Sequence, residues 1–152
     1  MVEVPAAVYQ VKEIARRVDF LSVGTNDLTQ YLLAVDRNNE RVADLYHHLH
    51  PSVLIALMNI FKQASSSGCH VSICGEMAGD PLSAVLLVGL GYDTLSMSAG
   101  SLLRVKSMLL NITKTEARVL ARKALKMDSA EDVVSYLESA LGRPQIAQLL
   151  KS

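Results

Sequence analysis

The feature that most constrains this chain is a repeated change of hydrophobic period. Short runs in which large apolar and small residues alternate, FLSVG (20–24), HVSIC (70–74) and TLSMS (94–98), are separated by stretches whose apolar residues recur every three to four positions. A period of two marks a strand and a period of 3.6 a helix, and strands joined through helices run parallel. The class is therefore α/β. A fourth candidate strand, MVEV, opens the chain. In the other three, one parity is large (Leu21 and Val23, Val71 and Ile73, Leu95 and Met97) and the other small (Ser22 and Gly24, Ser72 and Cys74, Ser96 and Ser98). Successive side chains face opposite sides of a strand, so one sheet face is bulky and the other is lined by small or polar groups. Tight helix packing and a polar interior both satisfy that second face.

The helices between these runs carry start and stop signals. Pro51 suits a first helical turn, Leu54, Leu57, Met58 and Phe61 form one stripe, and Gly68 follows as a C-terminal cap. Asp80 and Pro81 fit the N-cap and N1 positions of a helix through Leu86 that closes by Gly89 or Gly91. The last third reads as purely helical. Thr113 with Glu116, and Asp128 with Glu131, have capping-box spacing, and Gly142 with Pro144 ends the last clear helix. With no flexible linker or low-complexity segment, residues 1–152 read as one unit without an internal boundary.

Charge and composition narrow the partners. Fifteen basic residues cancel fifteen acidic ones, which argues against nucleic acid or an anionic membrane surface as a target. Mean hydropathy is +0.24, but no apolar run approaches the roughly 20 residues of a spanning helix. The first residues lack the basic and apolar regions of a secretory signal, and two cysteines fit a reducing, cytoplasmic setting. Because MVEV enters an apolar element with no polar lead-in, the expectation is a piece of something larger.

In parallel α/β folds the ligand site lies where strands end and their following loops begin. That rule gathers Glu3, then Thr25, Asn26 and Asp27, then Cys74, Gly75 and Glu76, then Ser98 and Gly100. Mg²⁺ favours one or two carboxylates with water and phosphate oxygens completing its shell, and Glu3 with Asp27 is such a pair. Asp27 reads equally as an N-cap for LTQYLLAV. Cys74 by itself reads as an inert packing residue, but its place before GEMAGD marks it out. Cys69 and Cys74, about 16 Å apart on one extended strand and pointing to opposite faces, can neither bridge nor share a metal. The cluster HHLH (47–50) lacks accompanying zinc ligands and reads as a turn before Pro51. Arg37, in AVDRNN, is an ordinary surface arginine unless a phosphate lies nearby. Neither a GxGxxG fingerprint nor a Walker A loop is present.

The strings VGTNDLTQYLLAVDRNN, ICGEMAGD and LSMSAGSLLRVK closely resemble the C-terminal, phosphoenolpyruvate (PEP)-binding barrel of the PEP-protein phosphotransferases, Enzyme I of the bacterial sugar phosphotransferase system. The resemblance covers essentially the whole chain. PEP synthase and pyruvate phosphate dikinase share the GTNDLTQ and CG elements in outline, whereas AVDR followed by Asn and the full CGEMAGD favour Enzyme I. Asn38, where the sugar-system enzyme usually carries Gly, resembles the nitrogen-related paralogue.

The resemblance implies a role for each residue. Glu3 matches the glutamate of the family's MIEIPSA strand and would bind Mg²⁺ with Asp27. Asn26 and Arg37 match positions that contact the substrate phosphate. Cys74 matches the residue that protonates the methylene carbon of the enolate, and a thiol with an ordinary pKa near 8.5 carries its proton at neutral pH. The implied fold is the C-terminal half, about strands five to eight, of a (βα)₈ TIM-type barrel of about 250 residues, followed by C-terminal helices. Strands one to four, the family's upstream phosphate-binding arginines and its phosphorylatable histidine have no counterpart here, so the isolated chain is expected to be inactive. Implied partners are PEP, a phosphocarrier protein reached through an N-terminal domain, and a second copy of the chain. The alternatives are a noncatalytic dimerisation module and a piece of a synthase or dikinase.

Overall fold

The computed structural model describes residues 1–142. Its centre is a parallel sheet of β1 (Phe20–Gly24), β2 (His70–Cys74) and the short β3 (Leu95–Ser96), in that order. Phe20 pairs with His70 and Gly24 with Cys74, and Cys74 then pairs with Ser96, so the three strands end level with one another.

The predicted first strand is reduced to a single bridge. Val2 pairs with Val23, donating its N–H to Ser22 and accepting from Gly24 at 2.7 and 3.0 Å. Extension stops there because Pro5, with φ fixed near −65°, begins helix α1 (Pro5–Tyr9), followed by α2 (Val11–Ala15). The run TLSMS shortens to Leu95–Ser96, since Ser98 already occupies the N-cap position of α7 (Ala99–Leu110).

Between β1 and β2 lie α3 (Thr25–Leu33), an irregular stretch with one 3₁₀ turn at Ala43–Leu45, and α4 (Pro51–Ser66). Pro51 stands in the first turn of α4, and the His50 ring caps that helix by accepting from Ser52 N–H at 3.2 Å. Gly68, at φ +70°, follows its end as read. Beyond β2 come α5 (Glu76–Gly79) and α6 (Pro81–Leu90), the latter capped by Asp80 and closed by left-handed Gly91. Two further helices, α8 (Lys114–Ala124) and α9 (Ala130–Leu141), complete the described chain.

Thr113 and Glu116 form the predicted capping box of α8. The second one falls a residue later than expected: Ser129, not Asp128, caps α9, and Asp132 answers it. Asp128 and Ser129 are both good caps, and the helix that Ser129 caps buries Val133, Leu137 and Leu141. Gly142 sits at the C-cap of α9, and Pro144 lies outside the described residues.

The bulky strand parity (Leu21, Val23, Val71, Ile73) is buried and joins the helical stripes in one core, while Ser22 and Ser72 of the other parity are half-buried. At the sheet's lower end Tyr92 is fully buried, its ring 5.3 Å from Phe61 and its hydroxyl donating to the Leu57 carbonyl at 2.8 Å. Burial raises the Tyr92 pKa far above its ordinary value, so the phenol stays a donor. Among the described residues no helix is long and apolar enough to cross a membrane.

Candidate active site

Where β1 and β2 end, their two turns are tied to one another. Thr25 donates its hydroxyl to the Cys74 carbonyl at 2.9 Å, and Asn26 accepts the Glu76 N–H on Oδ1 at 3.0 Å. The turns approach so closely because Gly75 has no side chain. A Cβ there would collide with the Thr25 hydroxyl and lie 2.9 Å from Asn26 Oδ1, and the backbone holds φ +119°, a conformation reserved for glycine.

Cys74 is half-buried with its thiol in defined surroundings. The S–H donates to the Val23 carbonyl at 3.2 Å, and Ser22 donates its hydroxyl to Sγ at 3.4 Å. The small parity of the strands therefore brings a hydroxyl to the sulfur. Cys69 is buried, and both cysteines are free thiols. Asn26 and Cys74 line one cavity of about 720 Å³, whose far wall includes His48, Asp80, Ser98 and Arg104.

Gly75, Glu76 and Ser98 also line this cavity, whereas Glu3, Asp27 and Arg37 are not on its lining. Glu3 folds against Gly24, where an added Cβ would come within 2.8 Å of its Oε2. Asp27 lies in the first turn of α3; Gly24 holds the N-cap position, so the capping role is not the one Asp27 plays. Neither carboxylate has a hydrogen bond or ion pair among the described residues. Both are hard oxygen donors of the kind Mg²⁺ takes, and of the two Glu3 is the one placed against Gly24. No group of three or more His, Cys, Asp or Glu side chains poised to hold a metal occurs among the described residues. Arg37 projects from the irregular stretch toward Glu76, Nη1 to Oε1 at 3.9 Å.

The histidines of HHLH are occupied locally. His50 caps α4, His47 accepts the Leu49 N–H at 3.2 Å, and His48 stands 4.0 Å from the Asp80 carboxylate. Burial, followed by the neighbouring His48, lowers the pKa of His47. For Asp80, burial pushes the carboxyl up, but hydrogen bonds from His48 and Ser83 outweigh it and hold the group below its ordinary range.

Sequence reading missed three contributors to this region. Tyr46 reaches back from the irregular stretch to the Asn26 carbonyl, Arg104 lines the cavity from α7, and Asp80 faces the cavity as well as capping α6. Only Arg104 left a local trace, as a cation shortly after the SMSAGS turn.

Parallel strands ending in tied, glycine-dependent turns beside a half-buried thiol define a candidate site at the strand ends of an α/β fold. Residues 1–114 match the family described as PEP-utilising enzyme, PEP-binding domain, and the chain belongs to that family. It is 46% identical over 151 residues to the Salmonella typhimurium and Escherichia coli proteins named phosphoenolpyruvate-dependent phosphotransferase system, covering 99% of this chain and 20% of each relative. A phosphoenolpyruvate-protein phosphotransferase of Borreliella burgdorferi is 44% identical over 142 residues, 93% of this chain and 25% of its own length. The resemblance read from GTNDLTQ and CGEMAGD therefore holds. The chain spans a fifth to a quarter of the length of these relatives.

Proposed function

We propose that this chain carries the metal-and-acid half of a PEP site in a phosphotransferase that passes phosphoryl from PEP to a protein histidine. The carrying observation is the pair of tied turns, which presents Asn26 and the Cys74 thiol to one cavity at the ends of parallel strands. In this reading Val2 and β1 to β3 correspond to strands five to eight of a (βα)₈ barrel, with the first half and the acceptor histidine supplied from elsewhere.

Asn26 and Arg37 bind the substrate phosphate, the amide as a hydrogen-bond donor and the guanidinium as a bidentate cation. When the phosphorus–oxygen bond to the enolate breaks, phosphoryl passes to the histidine. The enolate's electron pair takes the Cys74 proton at the methylene carbon, forming C–H, breaking S–H and yielding pyruvate with a thiolate. Ser22, already donating to Sγ, stays bonded to that thiolate. Glu3 and Asp27 hold Mg²⁺, which when bound disperses charge on the phosphoryl group and enolate. A phosphocarrier protein receives the phosphoryl group in turn, in a cytoplasmic setting.

The test uses a full-length phosphotransferase carrying this segment. Cys74→Ala should lower kcat for pyruvate formation by about 10²–10⁴-fold, the scale of a positioned general acid, with PEP binding largely intact. Asp27→Ala should weaken Mg²⁺-dependent PEP binding itself. Near-normal turnover in Cys74→Ala, or an identical pure binding defect in both variants, would remove Cys74 from the role of acid. The isolated chain should remain unlabelled by labelled PEP.

A second reading, association without catalysis, draws on the exposed Leu102, Leu103 and Leu110 of α7 and Phe20 at the sheet. Sedimentation of the isolated chain should then show species above 16.5 kDa. A clean monomer at micromolar concentration would count against it.

A further inference from the structure

Residues 36–46 leave the body of the protein between α3 and α4 and carry Arg37. Their hydrogen bonds are local: Asp36 Oδ1 accepts from Asn38 N–H at 2.9 Å, Asn39 Oδ1 from Arg41 N–H at 3.1 Å, and backbone bonds close the 3₁₀ turn. Among the described residues, one hydrogen bond ties this stretch to the rest of the fold. The Tyr46 hydroxyl donates to the Asn26 carbonyl at 3.1 Å. The Arg37–Glu76 pair at 3.9 Å adds only a loose, exposed attraction.

The bond lands on a residue that already has a second task. Asn26 accepts the Glu76 N–H on its side chain, so its backbone carbonyl is held by Tyr46 and its amide by the turn after β2. The Arg37 guanidinium faces the same phenol, and the buried Thr29 hydroxyl lies toward it without closing a hydrogen bond of its own. Burial is the largest influence on Tyr46 and raises its pKa, with Arg37 opposing, so the phenol remains a donor at neutral pH.

We infer that Tyr46 is a positioning residue of the phosphate site, its hydroxyl pinning the Arg37-bearing stretch to the Asn26 turn so that guanidinium and amide meet one phosphate. The inference rests on the reading of Asn26 and Arg37 given above. Tyr46 touches no reacting atom. It removes the cost of ordering a flexible arginine when the trianionic substrate arrives, an effect that appears in binding.

The test again uses a full-length phosphotransferase carrying this segment. Tyr46→Phe, which keeps the ring and removes only the hydroxyl, should raise KM for PEP about tenfold with kcat within about twofold, the consequence of losing roughly one hydrogen bond. In an Arg37→Ala background the same change should have no further effect on KM, a coupling that a merely structural role would not produce. Trypsin cleavage after Arg37 and Arg41 should also accelerate in Tyr46→Phe, and PEP need not bind for that readout. An unchanged cleavage rate overturns the pinning. Additive effects of Tyr46→Phe and Arg37→Ala overturn the positioning role. If Arg37→Ala leaves KM for PEP unchanged, the phosphate assignment itself fails, and the positioning role falls with it even where cleavage shows that the pin exists.

Discussion

The two ends of β2 are each surrounded by polar side chains, but they are built differently. At the lower end His70, Asp93 and Thr94 meet through side chains alone, with His70 Nε2 3.1 Å from Asp93 Oδ1, and all three are exposed or nearly so. At the upper end the bonds run from side chains to backbone: Thr25 to the Cys74 carbonyl, Glu76 N–H to Asn26, the Cys74 thiol to the Val23 carbonyl. Backbone groups cannot rotate away, so the upper cluster fixes the position of its members, while the lower one competes with water at every contact. By residue type alone the lower end, with its His, Asp and Thr, looks the more catalytic of the two. Its histidine presents the same nitrogen to both partners, so it cannot relay a proton between them.

That contrast can be tested by damaging one end at a time. The largest effect is expected from Gly75→Ala, which forces a side chain into a glycine-only conformation and against Thr25 and Asn26. A loss of about 3 kcal/mol, or failure to fold, should appear as a lowered midpoint in urea unfolding followed by circular dichroism. Unchanged stability would mean that the turns are not locked together. Asp80→Ala comes next. It removes the cap of α6, in which Ser83 N–H donates to Asp80 Oδ2 at 2.8 Å, and should cost about 1–2 kcal/mol.

Asp80 also sets a pH dependence. Its carboxyl titrates lower in the folded chain than its ordinary 3.8, so its contribution is complete above that value and is lost as pH falls through the lower folded one. The acid limb of a stability–pH curve should therefore flatten in Asp80→Asn, and an identical limb would detach the cap from acid unfolding. Asp93 has the same direction, caused first by the His70 hydrogen bond and then by that of Thr94. Because it is solvated, Asp93→Asn should shift stability by about 0.5 kcal/mol or less, the smallest change of the set. A loss matching that of Asp80→Ala would show that the lower cluster also holds the sheet.

What could be read from sequence follows from the range of the interactions. Pro51, Asp80 with Pro81, Gly68 and the Thr113–Glu116 box act within a turn or so of their own positions, and each stands where its spacing placed it. The strands at 20–24 and 70–74 were legible because their alternation is carried by neighbours in the chain. MVEV failed as a full strand because Pro5 takes the backbone into a helix, and the cap of α9 slipped by one because two adjacent residues have equal capping chemistry. Within the site, Asn26 and Cys74 share a cavity because β1 and β2 end level with one another, as the rule that sites gather at strand ends implied. The bond from Tyr46 to Asn26 joins residues twenty positions apart through an irregular stretch with no period to follow, and it left no mark in the sequence.

Helix α6 sets different rules for changes of chain length. Its residues from Pro81 through Leu87 are buried on every side, and Gly89 lies against the Ala117 backbone of α8 so closely that a Cβ would overlap it. With no polar stripe to select a rotation, its register is set by Gly89 against α8, by Asp80 at one end and by Gly91 at the other. One inserted residue would turn everything beyond it by about 100° and lengthen the helix by about 1.5 Å, moving Gly89 off α8 or Asp80 off its cap. Residues 36–46 meet the body at few points and can absorb added residues between Asn38 and Ala43 without moving a strand. Tolerance to insertion and deletion should therefore be near zero in α6 and highest in the stretch just after Arg37.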